Sequence, residues 1–288
     1  MFPKVPDQHK VGQPLIRNGL GVLYVLFATI YLFLIYFLNN PAGVTTPISS
    51  APLILAACIL FGGFMGLLDD WMDLKWRYKA FMPLIAALPL ISFAQAINAR
   101  TAIAIPLIGT IDFGASYFYI IIPLIIMIVT NVVNMLGGLN GLETVCPATV
   151  IVGLIALSPS YVLMVGPLIF WLILAYFNIR GKLFVGNSGS FAIGITIASF
   201  AVVSDLKLSL LVSILPYIFN SSIILLAVFF TRKRASMNFE NGKLCSTHRK
   251  SLVTMLTYNH PLTERQVVTV IAAIIAVFTA LGVIIQLL

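Results

Sequence analysis

The chain has 288 residues, 60% of them hydrophobic and only 9% charged, with a mean hydropathy of +1.05 and a formal net charge of +8. About a quarter of a soluble domain's residues are charged, so this chain cannot cover a water-facing surface of ordinary size. Nor is it disordered or fibrous, because Leu, Ile, Val and Phe dominate without a short repeat. What remains is an all-α, polytopic integral membrane protein. The apolar runs lack the alternation of a transmembrane β-barrel, and at about 20 residues per span the length allows up to about ten.

In chain order, a polar stretch from Lys4 to Arg17 precedes the first apolar run, which begins too far from Met1 for a secretory signal. Nine spans follow, at approximately 19–39, 49–68, 80–98, 116–136, 143–158, 160–178, 189–204, 208–231 and 267–288. The loops on one side are about 1–18, 69–79, 137–142, 179–188 and 232–266, and the whole of 1–288 reads as a single transmembrane domain. On that side fall Lys4, Lys10, Arg17, Lys75, Arg77, Lys79, Arg180, Lys182, Arg232, Lys233, Arg234, Lys243, Arg249, Lys250 and Arg265; only Arg100 and Lys207 fall on the other. Basic residues mark the cytoplasmic side, so the N-terminus is expected in the cytoplasm of a multi-pass protein of the cell membrane. The basic residues sit in separate short loops, which argues against a nucleic-acid partner. Cys58, Cys146 and Cys245 are scattered without metal-ligand spacing and receive no role.

Chemistry is distributed as unevenly as charge. The outer loops around Asn39–Asn40 and Ser158–Pro159–Ser160 are small and bland, whereas the inner ends carry Asp69, Asp70, Asp73, Asn131, Asn134, Asn140, Glu143, Asn178, Asn187 and His248. A channel or carrier would place its key polar groups near mid-membrane. This pattern favours chemistry at the cytoplasmic interface.

Four segments could carry it. In Gly66–Lys79 an apolar span runs into adjacent carboxylates, Asp69 and Asp70, with Asp73 three residues on. Adjacent carboxylates repel and call for a cation; Mg²⁺ suits hard oxygen ligands and bridges to phosphates, although a solvated helix cap with Asp73 paired to a nearby base reads equally well. In Asn131–Glu143, Asn131, Asn134 and Asn140 recur near one helix face. Asparagine is costly in hydrocarbon without partners, so these should meet each other, water, a metal or a ligand, or serve as helix-packing contacts. Asn178–Ser190 joins two spans with two cations, three glycines and small polar residues just before a helix, a place that favours an anion, as would any turn opening a span. The longest soluble segment, about 231–266, carries Arg232, Lys233 and Arg234, read as a headgroup anchor, and then His248 and Arg249. Guanidinium suits bidentate phosphate contacts. His9 and His260 read as surface residues.

Together these segments resemble the polyprenyl-phosphate N-acetylhexosamine-1-phosphate transferases (glycosyltransferase family 4). The resemblance rests on the Asp-Asp pair Asp69–Asp70 at a helix end, the Asn-x-x-Asn run of Asn131 and Asn134, the turn Phe184–Asn187, the His248–Arg249 loop, and the N-terminal Lys4-x-x-Asp7-x-x-Lys10 with Pro14, Asn18 and Gly19. The form Gly138-Leu139-Asn140-Gly141-Leu142-Glu143 is similar to the dolichol-type branch. The short last loop points to an archaeal member. The resemblance implies an enzyme that transfers a sugar-1-phosphate, foremost GlcNAc-1-phosphate, from a UDP-sugar to a polyprenyl phosphate of dolichyl type, releasing UMP, in the first membrane step of glycan assembly. Alternatives are another UDP-sugar, including UDP-MurNAc-pentapeptide, a non-catalytic homologue, or a transporter. A homodimer is compatible with this reading.

The implied cofactor is Mg²⁺, with Mn²⁺ as a substitute, held by Asp70, Asn134 and Asn187. Asp69 would orient or deprotonate the lipid phosphate, which Lys79 and Lys10 would hold. Arg249 would meet the diphosphate and His248 the sugar, with Asn140 and Glu143 bordering the uridine or sugar and Asn131 and Asn178 completing the substrate site. The resemblance implies two departures. Asn187 occupies a position that is usually Asp in the family, which weakens a metal ligand, and against the family's common ten spans the chain is expected to start after the first.

Overall fold

The computed structural model describes residues 2–40, 48–105, 109–232 and 235–288. Lys233 and Arg234, and most of the loop after the first span (41–47), lie outside the described residues. A hairpin of β1 (Lys4–Pro6) and β2 (Leu15–Arg17) leads into α1 (Gly21–Asn39). Then come α2 (Ala51–Met72), the short α3 (Trp76–Phe81), α4 (Pro83–Ala96), the hairpin β3 (Ala102–Ile105) with β4 (Gly109–Asp112), a π-helical turn Tyr117–Ile121 and α5 (Ile122–Met135). The chain continues through α6 (Leu142–Leu157), α7 (Val162–Ile179), α8 (Gly186–Val203), α9 (Lys207–Ser213) and α10 (Leu215–Thr231). It ends with the hairpin β5 (Asn238–Glu240) and β6 (Lys243–Cys245), α11 (Leu252–Leu256) and α12 (Glu264–Leu287).

This is the polytopic helical fold the composition predicts, and every expected span has a helical counterpart. Among the described residues seven helical stretches are long and apolar enough to cross a bilayer, and the α9–α10 pair makes an eighth, bent by 52° at its break. Pro216 opens α10; it has no N–H to give the carbonyl one turn back, so an expected straight span at 208–231 breaks there. The ninth, α6, is an apolar helix of only 16 residues. The three two-stranded hairpins were not anticipated, and α2 runs on to Met72, so Asp69 and Asp70 sit on a helix rather than in a loop.

The bundle is organised around α8, whose residues 188–202 are all buried. A helix apolar on every side belongs in the middle of a bundle, and α8 packs against α1, α2, α4, α5 and α6. Small residues allow this. A Cβ on Gly66 would collide with the Asn187 carbonyl and one on Gly21 with Gly189, so α1 and α2 approach α8 backbone to backbone. Tyr24 donates to Thr196 Oγ1 at 2.9 Å and packs edge-on against Trp171, closing the α1–α7–α8 seam. Outward-facing Leu26, Ile30, Leu38, Phe229 and Phe230 stay exposed, as side chains that meet lipid should.

Candidate active site

The start of α1, the ends of α2, α5 and α7, the starts of α6, α8 and α12, and the N-terminal hairpin all meet at one end of the bundle. Asp70, near the end of α2, accepts the backbone N–H of Asn187 through Oδ1 and of Ser188 through Oδ2, both at 2.9 Å. These are among the first N–H groups of α8, which have no partner within their own helix and favour an anion. The contact depends on Gly186: its φ is +70°, and a Cβ there would lie 2.8 Å from Asp70 Oδ2 and 2.9 Å from Gly19 Cα. Asn134, on the last turn of α5, donates through Nδ2 to Asn187 Oδ1 at 3.1 Å and to Ser190 Oγ at 2.6 Å. Asp70, Asn187 and Asn134 thus form one hydrogen-bonded chain across three helices.

All three line a cavity of about 470 Å³, together with Asp7, His9 and Asn18 from the N-terminal segment and Glu143 from the start of α6. Its described wall holds three carboxylates (Asp7, Asp70 and Glu143), one histidine and no lysine or arginine. Asp7 is buried; its Oδ2 accepts Asn140 Nδ2 at 2.8 Å and its Oδ1 the His9 N–H at 3.2 Å. Glu143 Oε1 accepts only a long bond, 3.3 Å, from the Gly138 N–H.

This donor set fits a divalent cation of the Mg²⁺ type. Carboxylate and carboxamide oxygens are the hard ligands such an ion takes, and an acid-rich wall whose described residues include no lysine or arginine leaves negative charge that a cation would offset. Among the described residues no three His, Cys, Asp or Glu side chains stand close enough to hold a metal alone. Amide oxygens, water and a bound phosphate would therefore have to complete the shell, as is usual for Mg²⁺.

Asp69 faces the other way. Its buried side chain pairs with Lys79 Nζ at 2.7 Å and accepts the Leu74 N–H at 3.0 Å, and its Oδ2 has no hydrogen-bond partner. Asn131 belongs to the same side, donating to the carbonyls of Ala80 at 3.2 Å and Met127 at 2.8 Å. The expected site therefore divides, with Asp70, Asn134, Asn187 and Glu143 on the cavity and Asp69, Lys79 and Asn131 on the opposite flank of the α2 end.

The remaining expected residues lie elsewhere. Asn140 is a buried hub, its N–H and Nδ2 both given to Glu264 Oε1, at 2.7 and 3.1 Å. Lys10 Nζ stands 3.8 Å from the other oxygen of Glu264. Asn178 is fully buried, accepting from the Gly141 N–H at 2.7 Å and Thr144 Oγ1 at 3.0 Å and donating to the Leu183 carbonyl at 3.0 Å, so it braces the turns around the cavity without lining it. His248 Nε2 accepts the Ser236 N–H at 3.1 Å, and the Arg249 guanidinium lies 4.3 Å from the Tyr258 ring centroid; neither lines the cavity.

Sequence reasoning quoted Asp7 and Asn18 only as part of the N-terminal motif, without a site role, gave none to Ser190 or Glu264, and put His9 on the surface, whereas His9 lines the cavity. Ser190 could have been found, since it follows Asn187 by three residues and shares its helix face. Asp7 and His9 reach the cavity through a hairpin fold-back that no local periodicity announces.

A sequence model of the family described as Glycosyl transferase family 4 matches residues 52–205. A Saccharolobus solfataricus protein, provisionally named a UDP-N-acetylglucosamine–dolichyl-phosphate N-acetylglucosaminephosphotransferase, is 29% identical over 98% of this chain and 86% of its own length. A Dictyostelium discoideum protein with the same name, there unqualified, is 29% identical over 72% of this chain and 62% of its own. A phospho-N-acetylmuramoyl-pentapeptide-transferase of Kosmotoga olearia is 28% identical over 72% of this chain and 65% of its own.

Proposed function

The chain belongs to glycosyl transferase family 4, and from that premise we propose that it transfers GlcNAc-1-phosphate from UDP-GlcNAc to a dolichyl-type phosphate at the cytoplasmic face of the membrane. The names of its archaeal and eukaryotic relatives support this substrate pair. The single observation that carries the reading is the shared cavity, where Asp70, Asn134 and Asn187 from three helices meet at a bundle end. The strong bias of Lys and Arg to the loops of that end supports its facing the cytoplasm.

In the reaction, an oxygen of the lipid phosphate attacks the β-phosphorus of the sugar nucleotide. The new O–P bond forms as the bond to the bridging oxygen breaks, and UMP leaves with the electron pair. Phosphoryl transfer is mostly positioning and electrostatic stabilisation. Asp70, Asn134 and Asn187, with Glu143 beside them, would hold Mg²⁺ or Mn²⁺; when bound, the ion would offset the diphosphate charge. Asp70 is itself fixed by the two α8 N–H groups, so its position does not depend on the ligand. Asp69 and Lys79 act as a unit at the lipid side, with Lys79 turned from Asp69 toward the acceptor phosphate when that arrives. His248 and Arg249 approach the sugar nucleotide from segment 235–262, and Glu143, on the cavity wall, borders it.

The test is a purified-membrane assay with radiolabelled UDP-GlcNAc and dolichyl phosphate, with and without Mg²⁺. Labelled lipid formed only with the ion supports both the transferase and its cofactor. Transfer only from UDP-MurNAc-pentapeptide would move the chain toward the reaction for which its Kosmotoga relative is named. No transfer from any UDP-sugar would leave a non-catalytic member of the family.

A further inference from the structure

Segment 235–262, which carries His248 and Arg249, hangs from the bundle by little more than apolar contact. Its hydrogen bonds run largely within itself: His248 to Ser236 and Ser246, Leu244 to Leu262 in both directions, Ser246 to Thr257, and Asn259 to Ser246. Leu244, Leu252 and Val253 enter the core. Among the described residues one hydrogen bond joins this segment to the membrane helices. The Leu252 N–H donates to Asn220 Oδ1 at 2.9 Å.

Asn220 is buried on the second turn of α10. Its other polar group, Nδ2, donates to the Met135 carbonyl at 3.3 Å. Both partners are helix-end groups. Leu252 is the first residue of α11, and Met135 is the last residue of α5, so each would otherwise be an orphan in apolar surroundings. One side chain thus spans the residue next to Asn134 and the residue three beyond Arg249. An asparagine in a bilayer helix is expensive unless it is engaged, and here the engagement joins two separate parts of the site end.

We infer that Asn220 is a positioning residue that fixes the His248–Arg249 segment in register with the end of α5 and thereby sets affinity for the sugar nucleotide. The inference rests on the reading of His248 and Arg249 as donors to that substrate. Within the segment the two side chains are already held, His248 by Ser236 and Arg249 over Tyr258. What remains to be set is the placement of the segment as a whole, and the Asn220 tether supplies it.

Two variants of the full-length protein test this. Asn220→Leu keeps the volume and removes both bonds. It should raise KM for UDP-GlcNAc about tenfold, with KM for dolichyl phosphate and kcat within about twofold, and speed amide exchange across 246–256 while α2 and α8 stay protected. Asn220→Asp keeps the acceptor for Leu252 and loses the donor to Met135, so its KM should rise only about threefold. Unchanged exchange at Leu252, or a parallel loss of both KM values and kcat that follows the folded fraction, would overturn the inference. Faster exchange in a protein that transfers nothing from any UDP-sugar would confirm the tether and refute the functional reading it serves.

Discussion

Two aspartates adjacent in sequence occupy opposite environments. Asp69 is sealed against Lys79 on the flank of α2, whereas Asp70 is gripped by two α8 N–H groups and looks into the cavity. Consecutive residues on a helix point about 100° apart, so a carboxylate pair on one helix end need not serve one cation. Asp70 has its charge met by backbone dipoles and remains open to a ligand. Asp69 has its charge met by the Lys79 ammonium, a side chain. One is held by backbone groups of a neighbouring helix, the other by an ion pair.

The sharpest way to break this contrast is Asp70→Asn. It should lower transfer by roughly a thousandfold at a stability cost of about 1–3 kcal/mol, because the amide oxygen still accepts one α8 N–H while the amide NH2 faces the other. Retained turnover would remove Asp70 from the centre. On the other side, Lys79→Ala leaves a buried carboxylate without its cation and should destabilise the protein by about 3–5 kcal/mol. Asp69→Asn in the same chain should restore most of that stability without restoring transfer. Loss of activity at full stability in Lys79→Ala alone would instead mean that Lys79 acts only on substrate. A smaller effect is expected from Asn187→Asp, which adds a charged oxygen beside Asp70. Calorimetric or Mn²⁺ resonance titration should show ion affinity rising about tenfold, and unchanged affinity would take position 187 out of the ion's shell.

The smallest effect concerns a third aspartate, at the far end of the bundle. Exposed Asp112 accepts from Thr101 Oγ1 at 2.5 Å and from the Gly114 N–H at 3.0 Å, and these bonds hold its carboxyl below the ordinary value of 3.8. Since the folded value is the lower one, the contribution to hairpin stability is present above the unfolded value and is lost as pH falls through the folded one. Thr101→Val should raise the Asp112 titration midpoint, read by NMR, with no effect on transfer at neutral pH.

The bundle and the helix ends were legible because both follow from composition and apolar run length. The gathering of Asp70, Asn134 and Asn187 at one end of the bundle was legible as well, since all three are polar groups at the tips of apolar spans. The separation of Asp69 from Asp70 was not legible, because it depends on the rotation of α2 against α8, set by Gly66 and Gly186. Nor was the contribution of Asp7 and His9, which needs the β1–β2 hairpin to turn back over the site. Asn220 was hidden for a related reason, since its two partners are backbone groups that carry no signature in side-chain type.

The brevity of α6 has a consequence for the lipid around it. Sixteen residues make a rod of about 24 Å, against a hydrocarbon layer of about 30 Å. The Asn140–Glu143 turn is bonded to Glu264 at the start of α12 and to Asn178 at the end of α7, so the shortfall falls at the other end of α6, beside Ser158, where the bilayer would have to thin. Thermal stability in reconstituted vesicles should then fall as acyl chains lengthen and that mismatch grows.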